Sequence, residues 1–391
     1  MISDLALTRK EVGLLSPANR GRIKGIIQAG KNLNKLVSVA PAYINLDPTW
    51  RCNFTCSGCV DGRVVSRQGQ YHVDQAVDLD WNVCQDLINY AKFHGVYGFV
   101  VQGGEPLLYN KIDDFLLACR ASEIILRLVT NGTQIISHGE SLVSTFSGTA
   151  SYLRVSINWD SAHYDQHTGS KNSLRQVLTG IEFLAQRGIR VVVSSVVFGR
   201  KAEEYGLPVN IDQMGDIVSL VRSSGASRLY LRPGKVPSTQ AMIPLSEAEL
   251  ANLESFDEDK GLEVCLPDFS QFRQADLPQN KDYPFCPTSF FRIVVGPDAG
   301  IYACTSHRGV PAARLAQIQP GQTFTDVWHS VERVRKQLQF SPVQHCRDNT
   351  CDKHRFNTLV IDAREEFERS GSSTLLDNLC LSINSPAVLR F

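Results

Sequence analysis

Three cysteines stand within one short stretch, Cys52-Asn53-Phe54-Thr55-Cys56-Ser57-Gly58-Cys59, spaced C-x3-C-x2-C. Three thiolates on one loop can hold three irons of a [4Fe–4S] cube, because each iron takes one cysteine. The fourth iron is then left to a small molecule, and that vacancy separates a catalytic cluster from one that only carries electrons. The competing metal is zinc. Structural zinc takes four ligands, and catalytic zinc usually counts His or a carboxylate among its three. No fourth ligand lies close by in the sequence, although Asp61 is near. A second set, Cys286, Cys304, Cys346 and Cys351, comes much later. Four thiols complete a cube with no iron open, or make a zinc knuckle.

Other positions offer polar groups. In Gly103-Gly104-Glu105-Pro106 the two glycines remove every Cβ and let a ligand approach the backbone, with the Glu105 carboxylate beside it. Thr130-Asn131-Gly132, Ser156-Ile157-Asn158-Trp159-Asp160 and the pair Ser194, Ser195 all close strand-like segments. Asp160, His163, Tyr230 and Arg232 also lie near strand ends and are candidates to face a substrate; no general acid or base is assigned. Cys84 and Cys119 fall on apolar helical faces and read as core. Cys265, in Glu-Val-Cys-Leu-Pro, is a possible spare ligand, and Cys380 sits in an apolar Leu-Cys-Leu context.

These groups need a frame. From about residue 42 strand-like and helix-like segments alternate. Ala42–Asp47, Tyr97–Gln102, Ile124–Thr130, Tyr152–Ile157, Arg190–Val197 and Arg228–Arg232 are short, rich in β-branched or aromatic residues, and bounded by turn formers. Between them run amphipathic stripes: Trp81, Cys84, Leu87, Ile88 and Ala91; Ile112, Phe115, Leu116 and Cys119; and Leu174, Val177, Leu178, Ile181 and Leu184, the last starting at the N-cap candidate Ser173. Six βα units in a row predict an α/β fold, a partial (β/α)6 TIM-like barrel. Its sites would lie at the C-terminal ends of the strands. The alternation fades near residue 235. The expected division is a basic helical arm at 1–41, the barrel at 42–235, a proline-bearing linker region with a short helix at Glu247–Glu254 at 236–285, and a C-terminal region at 286–391. In that last region Phe290–Val295 and Ile301–Ala303 predict a β-hairpin, followed by a helix from Phe324 to Leu338.

Hydrophobic residues make up 43% and charged residues 20%, an ordinary globular balance. Zero net charge argues against a general binder of nucleic acid or membrane surfaces. The first residues are an exception: Arg9, Lys10, Arg20, Arg22, Lys24, Lys31 and Lys35 stand against Asp4 and Glu11, and read as a solvated arm or a docking surface for an acidic partner. No apolar run reaches the ~20 residues of a membrane span, and no signal-peptide pattern opens the chain. A cytoplasmic location is the expectation, where eleven cysteines are metal ligands or buried thiols rather than disulfides.

The motif Thr49–Cys59, with Gly103–Pro106 on the next strand, resembles the signature of the radical S-adenosylmethionine (SAM) superfamily. The resemblance implies a [4Fe–4S] cluster on Cys52, Cys56 and Cys59 whose open iron takes SAM, and one-electron cleavage of SAM to a 5′-deoxyadenosyl radical that abstracts hydrogen. It also implies SAM contacts from Gly103, Gly104, Glu105, Pro106, Asn131, Ser156 and Ser194. Asn158 stands where the family often has Asp. The later cysteines resemble the auxiliary-cluster extensions called SPASM and twitch, and imply a second [4Fe–4S] cluster on Cys286, Cys304, Cys346 and Cys351. An oxidoreductase or maturase is implied, fed by an electron donor such as flavodoxin or ferredoxin. Its substrate would be a peptide or protein, or a small polar molecule resembling a sugar or aminocyclitol. The segment before the first strand is too short for a leader-peptide-binding domain, which shifts some weight toward the small molecule, while a partner protein could supply leader binding and keep a peptide substrate equally open. A zinc-binding or redox-sensing protein without catalysis is the alternative.

Overall fold

The computed structural model describes residues 17–29, 32–60, 78–256, 262–266, 281–346, 350–372 and 374. All six expected strands form: β1 Tyr43–Leu46, β2 Gly98–Val101, β3 Ile125–Thr130, β4 Tyr152–Ser156, β5 Val191–Val197 and β6 Arg228–Pro233. Four more complete a single sheet: β7 Glu263–Cys265, β8 Arg292–Val295, β9 Gly300–Tyr302 and β10 Arg314–Gln317. The order is β10-β9-β8-β1-β2-β3-β4-β5-β6-β7. Every pairing from β8 through to β7 is parallel, while β9 and β10 run antiparallel as a hairpin extension. The ladder is open, with β7 and β10 at its edges, so the partial barrel is confirmed and is wider than six strands.

Two expected boundaries therefore do not interrupt the sheet. The segment read as a linker supplies β7, which pairs with β6 through Arg228↔Glu263 and Tyr230↔Cys265. The hairpin read as part of a separate C-terminal region supplies β8, which pairs with β1 through Tyr43↔Arg292 and Asn45↔Val294. The physical reason is that a strand's local sequence states its pattern but not its neighbour. β1 offers a free edge, and Arg-Ile-Val-Val, whose Ile293, Val294 and Val295 are all buried, fills it as an inner strand.

Period-two alternation gives the sheet two faces. Leu126, Leu128, Leu153, Val155 and Leu229 are fully buried on the face covered by helices. Trp81–His94 contributes Cys84, Leu87, Ile88 and Ala91 to that layer; it is capped by the Asp80 side chain and stopped by Gly95 at φ +62°. Cys119 joins the same core, as expected for both apolar cysteines. Ser173–Ala185 buries Leu174, Val177, Ile181 and Leu184 of its expected stripe, with Leu178 half-buried beside them, but its cap is Asn172 at φ +56°. Ser173 is instead a buried first-turn residue. Glu247–Glu254 forms as expected behind a Ser246/Glu249 capping box. The helix expected over 324–338 splits into Phe324–Trp328 and Val331–Gln339, because the Ser330 side chain accepts from Arg333 N and starts a new helix.

The N-terminal helix Pro17–Ala29 is docked rather than solvated. Ile23, Ile26 and Ile27 are buried in a second core with Phe285, Phe290, Phe291, Phe356 and Val360. Arg22 donates to Ala40 O at 3.0 Å and to Gly95 O at 2.7 Å, neutralising the carbonyl end of Trp81–His94. Asp4, Arg9, Lys10, Glu11, Lys31 and the Arg20 side chain lie outside the described residues.

Candidate active site

The cysteine loop leaves the C-terminal end of β1 and is fixed at several points. Thr49 bridges to Asp78. The Arg51 guanidinium holds the Asp78 carboxylate through Nε at 3.0 Å and Nη2 at 2.5 Å, and also donates to Leu108 O at 2.6 Å. Such a two-pronged contact fixes direction as well as distance. Thr55 N donates to Thr168 O at 2.9 Å and Ser57 N to His167 O at 2.8 Å. Phe54 is buried edge-on to Tyr164. Cys52, Cys56 and Cys59 remain half-buried on this clamped loop.

The second turn locks onto the first. Gly104 N donates to Thr49 O at 3.0 Å and Glu105 N to Arg51 O at 2.7 Å. A Cβ on Gly104 would stand 2.1 Å from Arg51 O, and one on Gly103, at φ +121°, 2.6 Å from Thr49 O. The glycines are thus required first by the cysteine loop's own backbone. Pro106 opens a short 3-10 turn, where its missing N–H is no loss. The Glu105 carboxylate is fully enclosed and accepts from Leu107 N at 3.0 Å, Thr130 Oγ1 at 2.6 Å and Asn131 N at 2.6 Å. It organises the Thr130–Gly132 turn. Asn131 in turn donates to Asn53 Oδ1 at 2.8 Å, and Asn53 to Thr133 Oγ1 at 2.9 Å, so the third turn is tied to the cysteine loop as well.

Burial pushes the Glu105 carboxyl up to about 7 from its ordinary 4.5, against the pull of its three donors. The unfolded chain releases this proton near 4.5 and the folded chain holds it to about 7. Stability carried by this group is therefore present below about 4.5 and is lost as pH rises through about 7. Glu105→Gln should flatten the fall in melting temperature across that window; an unchanged slope between pH 4.5 and 7.5 would sink the assignment.

On β4 and β5 the register sets Ser156 opposite Ser194, with Tyr230 next to Ser194 on β6. These three share the interior face. Ser195 points the other way, opposite Leu231, and is wholly buried. Asn158 accepts from Val196 N at 2.8 Å and stitches β4 to β5. Asp160 accepts from Ala162 N and His163 N and bonds the His163 ring at 2.7 Å, so both are engaged in their own turn. Asp61 and Cys380 lie outside the described residues.

The later cysteines also converge. Cys286 is pushed well up by burial and then by the charges of Cys351, Cys304 and Cys346. Cys265 is not among them: it lies buried on β7 against Glu263. His307, which sequence reasoning missed, lies 3.2 Å from the Cys304 sulfur and 3.9 Å from that of Cys346. Its Cys-x-x-His spacing from Cys304 was the available signal. Burial alone would lower the His307 ring, but the Cys304 charge and its hydrogen bond outweigh that and raise it to about 11.

The two donor sets fit iron–sulfur cubes. None of the ten described cysteines is in a disulfide. Burial raises the Cys56 thiol, and the charges of Cys59 and Cys52 raise it further, so the loop's thiols repel as thiolates unless a shared cation is present. Each thiolate of a cube serves its own iron, and three thiols on one loop and four from the later segments have that donor chemistry.

Residues 46–205 match the family described as Radical SAM superfamily. A GTP 3′,8-cyclase from Helicobacter pylori (strain HPAG1) is 29% identical over 216 residues, covering 54% of this chain and 62% of the relative. A pre-heme d1 synthase from Dinoroseobacter shibae is 27% identical over 190 residues, 47% of this chain and 41% of the relative. The chain thus spans less than two thirds of the length of these curated relatives. Among solved structures, Streptococcus suis SuiB bound to its precursor peptide SuiA superposes with TM-score 0.56 at 15% identity, covering 81% of this chain and 73% of that one. Native anSMEcpe with bound AdoMet superposes with TM-score 0.55 at 14% identity, covering 88% and 100%. At these identities the structural likeness concerns the fold.

Proposed function

We propose, from the membership of residues 46–205 in the radical SAM superfamily, that this chain is an enzyme that cleaves SAM reductively and abstracts hydrogen from a small polar substrate, oxidising or rearranging it. The observation that carries the reading is the mutual locking of the three-thiol loop and the Gly103–Glu105 turn at the C-terminal ends of adjacent strands. When bound, the [4Fe–4S] cluster and SAM supply a 5′-deoxyadenosyl radical.

The chain's own residues do the positioning. Cys52, Cys56 and Cys59 would hold the cluster. The backbone of Gly103 and Gly104 with Asn131, Ser156 and Ser194 lines the rim where SAM would lie. Arg51 and Asp78 keep the loop in register. Cys286, Cys304, Cys346 and Cys351 would hold an auxiliary cluster, with His307 donating to His345 O at 2.8 Å and fixed beside two of them. Small-molecule use is favoured by the curated relatives, one of which takes GTP by its name. The electron donor would be a flavodoxin or ferredoxin. No helix among the described residues is long and apolar enough to cross a membrane. A purely metal-binding role is not favoured, because the sequence relatives are enzymes.

Anaerobic reconstitution tests this. Two cubes give about eight irons per chain and one gives about four. Dithionite and SAM should then yield 5′-deoxyadenosine; a reconstituted protein that yields none overturns the proposal.

A further inference from the structure

The interior face of the barrel is lined with arginine. Register places Arg127 opposite Tyr152, Arg154 opposite Val192, Val192 opposite Arg228 and Val196 opposite Arg232. Across β2 and β1 the same face continues from Arg127 through Val100 to Asn45, and Asn45 alternates with Tyr43, the partner of Arg292. The side chains at Arg127, Arg154, Arg228, Arg232 and Arg292 therefore all belong to one surface, the one the helices do not cover.

Several of these guanidinium groups are matched inside the protein. Arg228 holds Glu263 at 2.5 Å, and Arg292 donates to Asn45 Oδ1 at 2.9 Å. Arg308, at the mouth, holds Asp47. Arg127 and Arg154 differ. Among the described residues neither has an ion pair or a hydrogen bond, and the Nε of each is buried with no acceptor. Arg127 has only the Tyr152 ring, 5.1 Å away. Burial first, and then the charges of Arg232 and Arg127, disfavour the cationic form of Arg154.

A guanidinium stays charged in proteins, and its planar donors match carboxylate and phosphate oxygens in pairs. Two such groups, half-buried on adjacent strands with no counter-charge among the described residues, are an unfavourable arrangement that an entering anion relieves. The chain carries no net charge, so this excess is local to the barrel. It also lies below the SAM rim: Arg154 is the inward position preceding Ser156 on β4, and Arg127 is two inward positions before Asn131. We propose that the barrel interior binds the anionic end of the substrate, a phosphate or carboxylate group, through the Arg127 and Arg154 guanidinium groups. This rests on the rim being the SAM site.

The test is calorimetric titration of the reconstituted, SAM-loaded full chain with inorganic triphosphate and, separately, with citrate. The two arms distinguish a phosphate from a carboxylate preference, and prior loading with SAM keeps its own carboxylate site filled. At least one anion should bind with one-to-one stoichiometry. Its affinity should fall tenfold or more in Arg154→Met and in Arg127→Met, and be partly retained in Arg154→Lys. Removing an unmatched, half-buried cation should leave the melting temperature of both Met variants equal to the parent's or higher. Absence of binding to the parent, equal binding by parent and variants, displacement of SAM by the anion, or a lowered melting temperature in both Met variants overturns the proposal. The parent's 5′-deoxyadenosine yield is read separately, so a failure of the SAM reading is distinguishable from a failure of the anion site.

Discussion

Cys56→Ala should lower 5′-deoxyadenosine formation about a thousand-fold or more, to the protein-free background, which corresponds to about 4 kcal/mol of barrier. Cys56 is the middle thiol of the loop, raised by burial and by both its neighbours. Without it one of the three irons that the loop would hold has no protein ligand, and the whole cube is no longer retained. The backbone on either side keeps its anchors, since Thr55 N to Thr168 O and Ser57 N to His167 O use no cysteine side chain. The variant should therefore fold with the parent's melting temperature while losing about four irons per chain. Cys84→Ala is the matching control. Cys84 is fully buried on the helix Trp81–His94 near the Tyr109 hydroxyl. Its loss should destabilise by about 1–2 kcal/mol and leave iron content and SAM cleavage intact. Equal SAM cleavage by Cys56→Ala and the parent would falsify the assignment of the loop.

The second large effect concerns stability. Asp47, just past β1, and Arg308, just past the Cys304 turn, meet at 3.3 Å with side chains 0% and 4% exposed. Asp47 N also donates to Val295 O at 2.9 Å. A buried pair contributes little net against a well-packed apolar replacement, but removing one partner leaves a charge stranded, at about 3–5 kcal/mol. Arg308→Met should lower unfolding free energy by that amount in a denaturant titration. The double change Asp47→Leu with Arg308→Met should recover most of it, a coupling that a cycle of the four proteins measures directly. Strictly additive losses would show that the two residues act independently.

Much of the barrel was legible because its signals are local. The six strands carry β-branched runs ended by turn formers, and each was placed within a residue or two. The three thiols declared their chemistry by type and spacing alone. What was not legible depended on distant neighbours. β7 is only Glu-Val-Cys and has no pattern to read. β8 was visible as a strand, but not as the partner of β1. The N-terminal helix was read through its charges, although Ile23, Ile26 and Ile27 already had the spacing of a buried face. Gly103 and Gly104 were read as room for a ligand, whereas their first neighbours are the carbonyls of Thr49 and Arg51. The interior arginines were half visible: Tyr-Leu-Arg-Val-Ser in β4 alternates polar with apolar, and only the paired register reveals that other strands do the same on one surface.

The pairing of β8 with β1 also sets an order of assembly. Asn45 and Ile293, which it brings into hydrogen-bond contact, are 248 residues apart in the chain. At about 5–20 residues per second, roughly 10–50 seconds of synthesis separate them. Throughout that interval β1 is an edge strand with one row of backbone groups uncovered, a template for unwanted pairing. Long-range closure of this kind is slow in any case, because its loop entropy is lost before its contacts form. The three-thiol loop is thus synthesised well before the strand that encloses β1, and the last sheet contact of β1 waits for the same segment that brings Arg308 to Asp47.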